Sequence, residues 1–397
     1  MSTPRIVVTA TGALCVLGTT SASVRQGLAA WPAAGSLKSF PFHEFDRDTP
    51  CFRAYDFDPP AVLGKKGLRL KDRATKLLLG VLEQEFRELL ATFDPEGIPG
   101  ICVGTAFGSL QSIGDFLSDS IVNGVNNVNP QLFANTVINA PTGNANIRYG
   151  VRTLSATVAT GFNAGLDAII YAADQIRMGY YPAIVAGGLE ELSYYSILGL
   201  ARTGVLSHSG RMRPFAPDTD GYVPGEGCGL VLLESLEHAR SRGASILAEV
   251  SGVANTFDFA TGNQTDLRGE GARAAITQAC SMAGIAPPQL SLVAASANAT
   301  PGTDALEGAL LRELAPDVPV AAYKAKTGEC YGASPALNLV CSLLDAARGS
   351  VSPTANGFTP IAGINLEGGA QLGSGSHILV NAFSCEGNCS CIVLTVH

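Results

Sequence analysis

Two stretches of this 397-residue chain repeat one order of elements and meet near residue 245. Each alternates apolar bursts of strand length with helical spacing, the pattern of an α/β fold, and the repetition predicts a duplicated architecture. In the first stretch, Ile6 to Thr9, Ile101 to Gly104, Tyr181 to Gly188 and Gly229 to Glu234 read as buried strands. Leu154 to Ala159 alternates like a strand and stops at Thr160-Gly161, after which Ala164 to Met178 keeps helical spacing through Leu166, Ile169, Ile170, Ala173 and Ile176. In the second, strands Ile246 to Val253, Leu292 to Ala295 and Val318 to Ala322 alternate with helices Gly271 to Ala283, Asp304 to Leu314 and Ala333 to Ala347. A hairpin of His377 to Ala382 and Ser390 to Val396 closes the chain. The expected units are residues 1–245 and 246–397, with residues 108–150 as an excursion from the first.

Composition removes several function classes. With 46% hydrophobic and 15% charged residues the chain can bury a large core, which disordered chains cannot. Lys and Arg number 26 against 34 Asp and Glu, and no basic stripe offers the phosphate-neutralising surface that nucleic acid needs. No apolar run approaches the roughly 20 residues that span a bilayer. The opening, Met1 to Val8, lacks the basic, apolar and small-residue succession of a secretory signal, so the expected location is cytoplasmic. The ten cysteines then read as reduced core thiols. Cys385, Cys389 and Cys391 cluster, but with neither a CxxC knuckle nor a nearby histidine, so no metal site is expected.

The segment Gly108 to Gly150 carries Asn-rich turns between two strands, and a long excursion of that kind is usually functional. Its apolar residues Leu110, Ile113, Phe116, Leu132 and Phe133 fit either a cavity or partner surface, or padding of the domain's own core.

Several blocks together resemble the β-ketoacyl synthases of the thiolase fold, over nearly the whole length. GRMRPFAPDTDGYVPGEGCGLVLLE (Gly210 to Glu234), AGLDAIIYAADQIRMG (Ala164 to Gly179) with AGGLEE (Ala186 to Glu191), TPGTDALEGALL (Thr300 to Leu311) and KAKTGECYGA (Lys324 to Ala333) carry the resemblance. It implies an α/β thiolase-like fold of two pseudo-duplicated halves in five layers, α-β-α-β-α. It also implies acyl transfer from a carrier-protein thioester through a cysteine at the mouth of a helix, whose dipole favours the thiolate.

The reacting positions are altered. Counting back from Gly165-Leu166-Asp167-Ala168, the nucleophile position holds Phe162, which attacks nothing. The two histidines of the family, donors to a developing enolate, fall on Ser296 and Glu329. A serine is a weaker donor, and an ionised glutamate is an acceptor. None of His43, His208, His238, His377 and His397 occupies either place. Lys324 matches the family's lysine, with pairing to Glu329 or another carboxylate as its expected role, and the family's Gly-Phe-Gly-Gly gate reads Ser384-Cys385-Glu386-Gly387, placing Cys385 where the gating phenylalanine belongs.

Within the family this pattern resembles the chain length factor, the silent subunit that pairs with an active ketosynthase in type II polyketide systems, although such subunits commonly carry glutamine where Phe162 stands. The resemblance implies a heterodimer that pairs the strand around Thr153, Ser155 and Thr157 with its counterpart, and an excursion that forms the far wall of the partner's acyl tunnel. Phe162 would then fill this chain's own pocket. The chain itself would need no cofactor. The partner would use acyl- and malonyl-loaded phosphopantetheine on a carrier protein docking mainly on that partner, with no nucleic acid or membrane involved. Two other readings stand beside this one: an acyltransferase or decarboxylase using Cys330 or Cys385 with Glu329 as base, and a purely structural scaffold.

Overall fold

A computed structural model of the chain describes residues 4–31, 35–40, 43–258 and 269–397. Met1 to Thr3, the beginning of the segment read for a leader, lie outside the described residues.

Ten strands form one sheet. They are β1 (Ile6–Leu14), β4 (Gly100–Gly104), β5 (Ser155–Val158), β6 (Ala183–Glu190), β7 (Gly227–Ser235), β8 (Ala248–Phe257), β9 (Leu292–Ala294), β10 (Val320–Ala321), β11 (His377–Phe383) and β12 (Asn388–Val396). A separate hairpin pairs β2 (Gly35–Phe40) with β3 (His43–Cys51). The order β10-β9-β11-β12-β8-β1-β7-β6-β4-β5 contains one arrangement twice. Read from either outer edge, each half runs third strand, second, fourth, fifth, first. In both, the second strand lies parallel to its neighbours and the last two run antiparallel. Within this sheet the half-sheets join where Val7 and Val8 of β1 pair with Glu249 and Ala248 of β8.

Five layers follow from which face each apolar residue covers. Helices Ala164–Arg177 and Ser334–Arg348 lie between the two half-sheets, and Leu166, Ile169, Leu337 and Val340 share one core with Ile184 and Val231 of the first half and Ile378 and Ile392 of the second. On the outer face of the first half, Leu77, Leu78 and Val81 of helix Arg73–Val81 pack on Val103, Val185 and Leu230. Helices Glu270–Met282 and Pro301–Leu314 cover the second half through Ala275, Ile276 and Leu310 against Val293, Leu379 and Val393. Strands covered on both faces need unbroken apolar runs, and β4 and β6 are buried at every residue.

The structure differs from the sequence reading at the edges. Leu154 to Ala159 shortens to β5 and Val318 to Ala322 to the two-residue β10, because each is an outermost strand paired on one side only. Conversely β1 runs on past Thr9 to Leu14, since β7 pairs with it along that length despite its threonines and glycine. The excursion is largely helical: Leu110–Asn123, a 3-10 turn Pro130–Asn135, and Ala140–Tyr149.

Candidate active site

The edge strand β5 leads into the central helix through Thr160 and Gly161, whose φ of 72° only glycine adopts without strain. A 3-10 turn, Gly161–Asn163, follows, and Phe162 sits at its centre at the mouth of the helix. Asn163 fixes the turn by donating through Nδ2 to the carbonyl oxygen of Ala382 at 2.8 Å and to Ser390 Oγ at 3.0 Å. The elbow is therefore tied to the β11–β12 hairpin and the Ser384–Gly387 loop it carries.

Around Phe162 the space is filled by rings. Tyr331 stands edge-on to it with centroids 5.2 Å apart, and Phe107 contacts both, at 6.2 Å from Phe162 and 5.0 Å from Tyr331. Tyr222 adds a fourth ring 6.1 Å from Tyr331. Such edge-to-face pairs each contribute about 0.5–1.5 kcal/mol beyond burial. What remains is a cavity of about 100 Å³ lined by Phe162, Leu200, Val205, Ser296, Lys324, Phe383 and Cys385 among others. Sites for small organic ligands usually exceed roughly 300 Å³.

Ser296, Lys324 and Cys385 thus share one cavity with Phe162, whereas Glu329 lies behind it, fully buried. Four donors converge on the Glu329 carboxylate. Lys324 Nζ and Asn298 Nδ2 reach Oε2 at 2.9 Å each, and the Tyr331 N–H and Ser334 Oγ reach Oε1 at 2.8 and 2.7 Å. Each carboxylate oxygen accepts about two hydrogen bonds, so no lone pair is left to take a proton from a substrate. Lys324 also donates to the Ser296 carbonyl oxygen at 2.8 Å. The Ser296 hydroxyl is engaged with the Phe383 backbone, donating to its carbonyl oxygen at 3.2 Å and accepting from its N–H at 2.8 Å.

The relocated apparatus is not assembled. Cys330 is buried, burial pushes its thiol well above the usual range, and its Sγ donates to the Thr327 carbonyl oxygen at 3.4 Å, away from Glu329. Cys385 is exposed at the cavity, yet burial of its thiol and the Glu386 carboxylate push it up to about 11. A thiolate is the reacting form, so neither thiol is poised to attack at neutral pH. Cys389 and Cys391 are buried on β12, and Cys391 Sγ donates to Asn381 Oδ1 at 3.2 Å. Of the histidines, His238 pairs with Glu234 and His377 with Thr395, both outside the cavity.

Two buried carboxyls frame the site. Asp304 receives the N–H groups of Phe215, Asn298 and Ala299 at 2.7, 3.0 and 3.1 Å. Glu190 receives Thr105 Oγ1 and the N–H groups of Ala106, Phe107 and Gly332 at 2.9, 2.7, 3.2 and 3.2 Å. Burial raises each to about 7, from ordinary values of 3.8 and 4.5. The folded chain then keeps protons that the unfolded chain has already released, so the contribution of both groups to stability falls as pH rises from about 4 to about 7 and levels off above. Urea unfolding of an Asp304→Asn variant across that range should show a shallower fall than the parent chain. An equal slope would refute the assignment.

Within the excursion Ala145 joins the core of the first half, but helix Leu110–Asn123 does not. No residue of helix Leu110–Asn123 is buried; Ile121 is 82% exposed and Phe133 60% exposed. Phe116 and Phe133 touch each other, centroids 5.8 Å apart, and Leu110, Ile113 and Leu132 are likewise not buried, so these five residues do not line the cavity. Thr153 and Thr157 are held by Ile98 and Thr142, and Ser155 is exposed on the edge strand. Sequence reasoning missed Phe107, Tyr222, Tyr331, Asn298 and Ser334. Tyr222 stands within the Gly210 to Glu234 block, and Tyr331 and Ser334 within the KAKTGECYGA block or just beyond it, so these three had a local signal.

Residues 46–239 match the β-ketoacyl synthase N-terminal domain and residues 247–358 the β-ketoacyl synthase C-terminal domain. The chain belongs to the β-ketoacyl synthase family. Among curated relatives, 3-oxoacyl-[acyl-carrier-protein] synthase 2 of Coxiella burnetii is 28% identical over 383 residues, covering 92% of each chain. The Vibrio cholerae synthase 2 is 29% identical over 386 residues, again 92% of each. Nodulation protein E of Rhizobium leguminosarum bv. trifolii is 27% identical over 358 residues, covering 89% of this chain and 88% of that protein. Among solved structures, the ishigamide ketosynthase/chain length factor superposes with a TM-score of 0.88 at 24% identity, covering all of both chains. A ketosynthase in complex with its chain length factor from Xenorhabdus doucetiae gives 0.83 at 21% identity, covering 99% of this chain and 98% of that one. At those identities the structures establish a shared fold. Among the described residues, no helix is long and apolar enough to cross a membrane.

Proposed function

We propose that this chain is a catalytically silent ketosynthase-like subunit, of the chain length factor kind, that pairs with an active ketosynthase and shapes the tunnel in which the partner's acyl chain grows. One observation carries the reading: Phe162, at the place the resemblance gives to the attacking thiol, stands among three other rings, and the Glu329 carboxylate behind it is saturated with donors. Acyl transfer needs a nucleophile and a place for the acyl chain, and the elbow offers neither. The synthases named among its relatives share the frame, but this chain departs from the family pattern at each reacting position.

The surface supports a partner. An edge strand open on one side and a helix with exposed apolar residues are both liabilities in an isolated chain. In this proposal β5 pairs with the partner's equivalent strand and helix Leu110–Asn123 closes the far end of the tunnel, while the carrier protein delivers acyl and malonyl groups mainly to the partner.

The chain incubated with acyl-loaded and malonyl-loaded carrier protein should show no acyl adduct by intact mass spectrometry. Co-expressed with a cysteine-bearing ketosynthase of its own pathway, it should copurify, and the adduct should appear on that partner. An adduct on any cysteine of this chain would overturn the reading. In the reconstituted pair, enlarging Leu110, Ile113 or Phe133 to Trp should shorten the product by excluded volume. Unchanged product lengths across all three would remove the tunnel-wall role.

A further inference from the structure

Loss of a sulfur would be enough to silence the elbow, yet four rings are packed there. Tyr331 is held at a cost. Its φ of 48° is left-handed backbone, unusual for a residue with a side chain, and its hydroxyl is buried without a partner. Its ring meets Phe162, Phe107 and Tyr222 at once. Phe107 is fixed from a different segment, and Glu190 unites the two, accepting the Phe107 N–H and the Gly332 N–H at 3.2 Å each. The segments touch: a Cβ on Gly332 would lie 2.5 Å from the Ala106 nitrogen. Phe162 itself is only half-buried, so its orientation depends on these supports.

We propose that Tyr331 and Phe107 are positioning residues of an aromatic plug that holds Phe162 across the elbow and keeps the acyl-pantetheine arm of a carrier protein out of this chain. The inference rests on the silent-subunit reading and gives the plug a task within it. In a pair of similar subunits, an arm that entered the inactive one would be unproductively held. A closed elbow leaves the partner as its destination.

The test is calorimetric titration of the full chain with octanoyl-pantetheine. The parent chain should show no saturable binding. Phe162→Ala, Tyr331→Ala and Phe107→Ala should each gain it, with a Kd at least about tenfold below the weakest the titration detects. Tyr331→Phe, which keeps the ring and removes the unpaired hydroxyl, should stay closed with an unchanged or higher Tm. If Phe162→Ala binds while folded Tyr331→Ala and Phe107→Ala do not, the positioning role is overturned and the silent-subunit reading survives. If Phe162→Ala fails to bind, no arm site lies behind the plug, and this inference falls whether or not the mass-spectrometric test upholds the silent subunit. Should Tyr331→Ala not fold, Phe107→Ala, at a half-buried position, decides alone.

Discussion

Replacing Glu329 with alanine should lower the unfolding free energy by about 3–5 kcal/mol, the usual cost of leaving one partner of a buried ion pair uncompensated. Lys324 is only 5% exposed and would keep the Ser296 carbonyl oxygen as an acceptor but lose its ion-pair partner, leaving only the nearby Glu307 as an opposite charge. Asn298, the Tyr331 N–H and Ser334 would lose their acceptor at the same time. The double variant Lys324→Met/Glu329→Leu should recover most of the loss, because no isolated charge then stays buried. Urea unfolding monitored by circular dichroism measures both. A loss below about 1 kcal/mol for the single variant would mean that the pair contributes little, as exposed pairs do. The experiment also separates two roles for Glu329, since a residue kept for structure should cost stability when removed, whether or not any chemistry is present.

Gly165→Ala should prevent folding or cost more than about 4 kcal/mol, an exceptional value for a single methyl group. A Cβ there would lie 2.4 Å from the Gly332 carbonyl oxygen and 3.2 Å from Ala336 Cβ, and one on Gly188 would meet the same carbonyl at 2.5 Å. The two central helices begin at this point, each after its own 3-10 turn, so the pseudo-equivalent elbows are pressed backbone to backbone. Neither can withdraw without breaking the packing of both half-sheets. Gly199→Ala is the matched control. That glycine lies within helix Tyr194–Thr203, is exposed, and has nothing within 4 Å of an added Cβ. There the substitution should raise stability by about 0.5–1 kcal/mol through helix propensity. Soluble, native-like Gly165→Ala protein would refute the close approach.

Much of the interior was legible because a strand covered on both faces has to be apolar throughout, and a central helix has to be apolar nearly all round. Ala183–Glu190, apart from its last residue, and Ser334–Arg348 come near those conditions and sit close to where the periodicity puts them. Strand ends were not legible, because pairing sets them. Thr9 and Gly12 interrupt the apolar run of β1, yet β7 carries the strand on, skipping Thr9 as a bulge and pairing Gly12 with Leu230. At the site, Lys324 and Glu329 stand five residues apart and meet at 2.9 Å, one of the pairings expected for that lysine. The excursion was ambiguous for a physical reason: an apolar residue in sequence looks the same whether its own core or a second chain covers it, and only Ile121 and Phe133 standing in solvent decided against the core.

By itself, the sequence determined the duplicated strand and helix order and, through the family resemblance, the expectation that Phe162, Ser296 and Glu329 stand at the three reacting positions. Both are properties of residue type at a given place along the chain. Tertiary structure alone decided that Phe162 meets Phe107 and Tyr331, that Tyr222 joins them through Tyr331, and that Glu329 is saturated by donors rather than free. Those contacts join segments far apart in the chain, and their energies exist only once the half-sheets have closed on the two central helices.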